Sequence, residues 1–319
     1  MKLNNFVSCA TVANILKSGG FKDGYRLIDC TSRIAPRPNH EEYKKLVYGK
    51  FEQMMAAETR QKKGYWKNHI PCAVHLDLNT ATYPSEYTSY AFYPPEIFQQ
   101  YIRLLGVNVD DQLILYSRGA IGGMMIPACI AWIFKCYGHD RVSVLDGGLS
   151  RWEKEIGEVT DELPVVKPGN WTASEISEDR LVSFEEIMQK EWLNKLDTIN
   201  FLDARTKGQF DGVEATTLDH RKVKGSHVAG VHNVPAVDSI TKEGVLKSES
   251  ELKKWLEENG FQKGKPIVTM CNKGIQAAML ALIMEHVDKS SRARVYMGSM
   301  KEIELRDPEK INAGRIYTP

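Results

Sequence analysis

The sequence predicts an α/β chain made of two similar domains, each a parallel sheet with helices on both faces. Three observations carry that expectation. The two halves of the 319 residues repeat one another. Within each half, short β-rich runs alternate with helical patterns, the arrangement of a parallel sheet covered on both sides. The composition, 42% hydrophobic and 26% charged, is that of an ordinary globular protein, and the length suits about two domains.

The repeat runs in order along the chain. Phe6-Val7-Ser8 opens a helix-like run, ATVANILKSG, and Leu181-Val182-Ser183 opens another, FEEIMQKEW. A strand ending at Asp29 (YRLIDC) answers one ending at Asp203 (INFLDAR), and the segment from His69 to Val74 answers that from His227 to His232. The helix PPEIFQQYIRLLG matches SESELKKWLEENG, QLILYSRG matches PIVTMCNKG, and VSVLDGG matches RVYMGS. Gly106 and Gly260 stand at the same separation as Ser117 and Cys271, so this block aligns without a gap. Upstream, the stretch from the aspartate to the histidine is about 16 residues shorter in the second half. Two copies read as two domains and not as a solenoid. The segment between them, GEVTDELPVVKPGNWTASEISEDR, is polar, bears prolines and lacks helical periodicity. The expected division is therefore a catalytically silent domain at 1–155, a linker at 156–179 and a catalytic domain at 180–319.

Several function classes are excluded at this level. Lys and Arg number 42 against 41 acidic residues, a net charge of +1, so no global field draws the chain to nucleic acid or to an anionic membrane. The longest uncharged run, Gly119 to Phe134, is shorter than the ~18 residues a spanning helix needs. The opening residues show no secretory or transit pattern, and the expected location is the cytoplasm; the Asn170-Trp171-Thr172 sequon is accordingly read as chance. The six cysteines (Cys9, Cys30, Cys72, Cys129, Cys136 and Cys271) form no CxxC pair and are expected as free thiols, most of them small buried hydrophobes. Cys129 and Cys136, in an apolar helical run, are core candidates. His69, Cys72 and His75 are too few to close a zinc site, and the second copy has Gly230 in place of the cysteine, so no metal is expected. Trp152, Trp192 and Trp255 lie in helical patterns and read as core or interface residues. Arg221, Lys222 and Lys224 form a short basic run, ordinarily a solvated loop, with the capacity to attract anions.

One segment carries chemistry. Pro266 to Met270 reads as a buried strand, Cys271-Asn272-Lys273-Gly274-Ile275-Gln276 as a tight loop, and Ala277 to Val287 as a helix rich in Ala, Leu and Met. A cysteine at the C-terminal end of a strand stands where open α/β sheets bind ligands. Loop amides, the helix dipole and Lys273 are expected to lower its pKa and make it a nucleophile. On spacing alone a core cysteine fits as well; the strand–Cys–loop–helix context favours function. Ser117 holds the equivalent place in the first half, with no adjacent base to activate it. A cysteine phosphatase is excluded because the sixth residue after Cys271 is Ala277, where an arginine is needed to hold a phosphoryl group.

The two-fold repeat, Asp203-Ala204-Arg205, HVAGVHNVP, CNKGIQ, HIPCAVHLDL and VSVLDGGLSRW together resemble the tandem-domain rhodaneses, the thiosulfate and 3-mercaptopyruvate sulfurtransferases, over nearly the whole chain. The resemblance implies two rhodanese-like domains and a cysteine persulfide on Cys271. It implies a small anionic sulfur donor and cyanide or a thiol acceptor, such as thioredoxin or glutathione, with no cofactor. It assigns substrate contacts to Arg205 and Lys273, with the amides from Asn272 through Gly274 and Ile275 to Gln276 cradling the sulfur. The chain departs from the family in three places: Met297-Gly298-Ser299-Met300 replaces Asp-Gly-Ser-Trp, Gly274-Ile275-Gln276 replaces Gly-Val-Thr, and Gly208-Gln209-Phe210-Asp211 lies where mercaptopyruvate enzymes carry arginine. Lys273 attracts a sulfonate and Asp211 is expected to repel a carboxylate, so thiosulfate is the expected donor. The alternatives are 3-mercaptopyruvate and a non-catalytic rhodanese-like binding module.

Overall fold

In the computed structural model, residues 3–22, 24–189 and 191–317 are described. Two units divide the chain: one takes residues 1–84, 91–177 and 242–246, the other 85–90, 178–241 and 247–319.

The first unit is built on five parallel strands, β1 (Phe6–Val7), β2 (Tyr25–Asp29), β3 (Val74–His75), β4 (Gln112–Tyr116) and β5 (Val142–Leu145), in the order β1-β5-β4-β2-β3. β4 is buried at every position, as a parallel strand covered on both faces must be. Leu27, Ile114, Tyr116 and Leu145 point to one face, where they meet Val12 and Ala13 of the helix Cys9–Lys17 and Leu149 and Trp152 of the helix Gly148–Glu155. The alternate residues point the other way, and the helix Met125–Cys136, buried throughout with Cys129 and Cys136 in it, packs on β4 and β5.

The second unit repeats the plan. Its parallel strands β6 (Asn200–Asp203), β8 (His232–Asn233), β9 (Ile267–Met270) and β10 (Ala293–Val295) lie in the order β10-β9-β6-β8. A parallel bridge from Leu181 to Val295 stands where β1 stands in the first unit. β7 (His227–Val228) pairs antiparallel with β11 (Ile311–Ala313) beside this sheet. Phe201, Val268 and Met270 face Phe184 and Ile187 of the helix Phe184–Gln189 and Met300 and Ile303 of the helix Ser299–Arg306; the helix Ile275–Val287 packs on β9 and β10. Asp29 pairs in register with Tyr116, and Asp203 with Met270. Ser117 and Cys271 therefore follow equivalent strands at equivalent positions, as the repeat predicts.

Residues 161–177 have no regular element, yet they are a strap fastened to the first unit. The amides of Gly169, Trp171, Ser174 and Ser177 donate to the carbonyls of Arg103, Val107, Tyr137 and Cys136. Trp171, inside the sequon, is fully buried against Phe98, Phe134 and Tyr137, and its indole N–H donates to Nδ1 of His139 at 3.1 Å. Of the three tryptophans singled out from sequence, Trp152 and Trp255 are buried and Trp192 is partly buried against the second core. The rings of His69 and His75 are engaged by backbone carbonyls, His69 by those of Tyr65 and Glu162 and His75 by that of Thr31. No described helix is long and apolar enough to cross a membrane.

Removing an indole that anchors an otherwise irregular strap leaves a cavity and an unpaired His139. Trp171→Ala should cost about 3–5 kcal/mol, measured as a lower midpoint in guanidinium unfolding.

Candidate active site

β9 supplies a rigid base. Its four residues, Ile267, Val268, Thr269 and Met270, are buried, and the Thr269 hydroxyl donates to the carbonyl of Ala277 at 3.0 Å, fixing the first turn of the following helix to the strand. Cys271 comes next and is 2% exposed. The turn from strand to helix is made at Gly274, whose φ of +91° lies in the left-handed region. A Cβ there would stand 2.8 Å from both the Met297 carbonyl oxygen and Cε, so no other residue fits without moving Met297. The Gly274 N–H donates to Sγ of Cys271 at 3.1 Å.

A second loop holds the peptide groups of the cysteine. The Ser299 hydroxyl accepts the Cys271 N–H at 3.1 Å and donates to the carbonyl of Tyr296 at 2.7 Å. The amides of Met300 and Lys301 donate to the carbonyls of Cys271 and Asn272, both at 3.1 Å. Ser299 is fully buried and has φ +53°, an uncommon conformation for a residue with a side chain. In the first unit Gly148, φ +56°, takes this place and the next amide, that of Leu149, donates to Ser117. The hydroxyl at Ser299 is thus a feature of the cysteine-bearing copy alone. Sequence reading noted the Met-Gly-Ser-Met departure but not this role; the signal lay in the repeat, where a glycine in one copy aligns with a serine in the other.

The thiol differs from expectation. Burial pushes the Cys271 pKa up, and this outweighs the backbone amides of Ala277, Lys273 and Gln276, which pull it down; the carboxylate of Asp203 adds to the rise. The expected lowering is present in the amides but does not win, because a thiolate here leaves water behind.

Arg205 also differs from the expected donor-gripping side chain. It is fully buried. Its Nε lies 3.0 and 2.9 Å from the two carboxylate oxygens of Asp203, and its Nη2 donates to Asp203 at 2.6 Å and to the carbonyl of Ser226 at 3.0 Å. Only Nη1 has no hydrogen-bond partner. The physical reason is local: Asp203 and Arg205 flank one residue at the end of β6, and a buried carboxylate holds the nearest guanidinium.

Asn272 donates from Nδ2 to Oε1 of Gln209 at 2.9 Å, while its own Oδ1 is buried without a partner. Gln209, in the stretch 208–211 that departs from the mercaptopyruvate pattern, thereby ties the helix Lys207–Asp211 to the cysteine loop. Lys273 and Gln276 are half-buried, and Gly274 and Ile275 are buried. Asp211 is bound by Lys207 at 2.5 and 2.7 Å, so the repulsion expected of it is compensated by a cation four residues away. The basic run is likewise engaged: Arg221 pairs with Asp219, and Lys224 with Glu309. In the first unit, the Ser117 hydroxyl donates to the carbonyl of Gly123 at 3.0 Å, within its own loop.

Two copies of one parallel α/β plan, with a cysteine held by amides at the end of the second sheet, define a class of duplicated two-domain α/β proteins. Comparison with known proteins gives the family. A family model described as "Rhodanese-like domain" matches residues 39–155 and 188–306. A Caenorhabditis elegans protein provisionally named thiosulfate sulfurtransferase is 41% identical over 327 aligned positions, covering all of both chains. Thiosulfate sulfurtransferase of Mus musculus is 29% identical over 255, covering 78% of this chain and 82% of its own. The crystal structure of a 3-mercaptopyruvate sulfotransferase from Escherichia coli shares the fold, with a TM-score of 0.72 at 23% identity over 93% of this chain and 99% of that one. The chain belongs to the rhodanese-like family, as a tandem-domain sulfurtransferase.

Two measurements check the electrostatics. Because burial raises the thiol pKa, iodoacetamide labelling of Cys271, followed by peptide mass spectrometry, should still be accelerating above pH ~9.5, where an ordinary cysteine of pKa ~8.5 is almost fully ionised and its rate levels off. Arg205→Ala strands a buried carboxylate, and should lower stability by about 3–5 kcal/mol in chemical denaturation.

Proposed function

We propose that this sulfurtransferase takes the outer sulfur of thiosulfate onto Cys271 and passes it to cyanide or a thiol. The Cys271 thiolate attacks the outer sulfur, the sulfur–sulfur bond of thiosulfate breaks, and sulfite leaves with the bonding pair. Cyanide or a thiolate then attacks the outer sulfur of the persulfide, and the Cys271 thiolate is released. Oxidation level balances over the cycle, and no cofactor enters. The observation that carries this reading is the sulfur of Cys271 at the end of β9, accepting from Gly274 at 3.1 Å in a loop that also bears Lys273. A persulfide extends the anion beyond the buried Sγ, toward the loop amides that already oppose the cost of burial. In this reading Asn272, Gly274, Ile275 and Gln276 shape that cradle, and Lys273 holds the sulfonate head. Arg205 acts on the donor through Nη1 alone, its other nitrogens fixing Asp203. Glutathione and thioredoxin are the thiol acceptors proposed, and the six free cysteines suit a reducing compartment such as the cytoplasm.

One observation favours 3-mercaptopyruvate as a second donor. The Lys207–Asp211 pair offsets the negative charge that argued against a carboxylate. Parallel steady-state assays with the two donors decide between them.

Cys271→Ser should abolish thiocyanate formation from thiosulfate and cyanide, because a hydroxyl forms no persulfide. Lys273→Ser should lower kcat/KM for thiosulfate by roughly 10- to 100-fold, the loss of one charge-assisted contact, and leave mercaptopyruvate turnover less affected. Faster turnover of mercaptopyruvate than of thiosulfate by the unaltered protein would overturn the donor assignment.

A further inference from the structure

The first unit has a cavity of about 460 Å³ at the end of β4, where the second unit has its cysteine. Thr31, Arg33, Arg60, Ser117 and Arg118 line it, with Met125 and Ile126 as an apolar wall. Every charged side chain in that lining is an arginine. Arg118 is held in place from behind: Nη1 donates to the carbonyl of Gly64 at 2.7 Å, Nη2 to that of Asn68 at 2.6 Å, and Nη2 stands 3.6 Å from the carboxylate of Asp29. Arg33 and Arg60 are exposed at the rim, and among the described residues no acidic side chain pairs with either.

Two polar atoms of the lining lack hydrogen-bond partners. Thr31 occupies the position that Arg205 holds in the second copy: its amide donates to Asp29 at 2.8 Å, as that of Arg205 donates to Asp203 at 3.0 Å. Thr31 is 9% exposed, and its hydroxyl is buried and unpartnered, as is Nε of Arg118. A buried hydroxyl left without a partner costs free energy unless something fills the space before it. Three guanidiniums and a free donor around one cup match an ion with several acceptor oxygens and two negative charges.

We propose that this cup binds a small divalent sulfur oxyanion of the sulfate and sulfite class. Binding there is without chemistry, because the Ser117 hydroxyl is engaged by Gly123 and has no base beside it. The first copy has lost the nucleophile and kept an anion site of different construction, its cations drawn from the loops around residues 33, 60 and 118.

The test is equilibrium dialysis of radiolabelled sulfate against the full chain carrying Cys271→Ser, with ionic strength held constant by sodium chloride and unlabelled sulfite as competitor. The expected result is a sulfate site that persists in Lys273→Ala, is displaced by sulfite, and whose affinity falls tenfold or more in Arg33→Ala/Arg60→Ala and several-fold in Arg60→Gln. Both side chains are exposed, so folding should be unchanged by circular dichroism. Lys273→Ala, in the other unit, should leave this site intact. Sulfate affinity equal to the parent's in the double variant overturns the proposal, as does binding lost with Lys273→Ala alone or binding absent from the parent. None of these outcomes depends on turnover, so they are distinct from failure of the thiosulfate reading.

Discussion

A buried carboxylate–guanidinium pair, Asp203 with Arg205, closes the end of the second sheet beside Cys271, and the local structure depends on it. Both side chains are fully buried. Taking two charges out of water is costly unless the geometry is close and the remaining donors are used; here the contacts run from 2.6 to 3.0 Å and a further bond reaches the carbonyl of Ser226. Asp203 is in register with Met270, so an unpaired carboxylate would stand beside the Cys271 sulfur one residue further on. The guanidinium makes that aspartate tolerable as a neighbour.

The first copy meets the same constraint by another route. Asp29 occupies the place of Asp203, but its cation is Arg118, supplied by the loop after β4 at 3.6 Å. The position two residues after the aspartate is thereby released to Thr31, and the position after Ser117 is committed to Arg118. In the second copy the pairing arginine comes from β6's own end, which leaves the loop after β9 to Asn272 and Lys273. Which loop provides the counter-ion thus separates the copy that carries Cys271 from the one whose loop carries Arg118.

At Cys271 two opposed effects meet in a few ångströms. Burial and the nearby aspartate favour the neutral thiol; the amides that begin the helix Ile275–Val287 favour the anion. The net effect is a raised thiol pKa. Ser299, in a strained left-handed conformation, holds the peptide that carries this balance.

The repeat, the alternation of strand and helix and the place of Cys271 were all legible in the residues, because they follow from short-range rules: burial on both faces makes continuous apolar strands, and helix periodicity and a glycine mark where one element turns into the next. The Lys207–Asp211 pair was legible in principle, from its four-residue spacing on a helix, and its neglect made Asp211 look repulsive. Only the tertiary structure decided the fate of Ser299 and of Trp171. Each has several chemically adequate partners along the chain, and the choice among them is made by distance: the Ser299 hydroxyl reaches an amide 28 residues before it, and Trp171 turns a polar, irregular stretch into a strap by finding an apolar pocket and His139. The Asp203–Arg205 pair is local in sequence, two residues apart, and what the structure added is that it is fully buried. Sequence determines which side chains prefer burial and in what local form; which partner a buried polar group takes is settled by the packing that brings distant segments together.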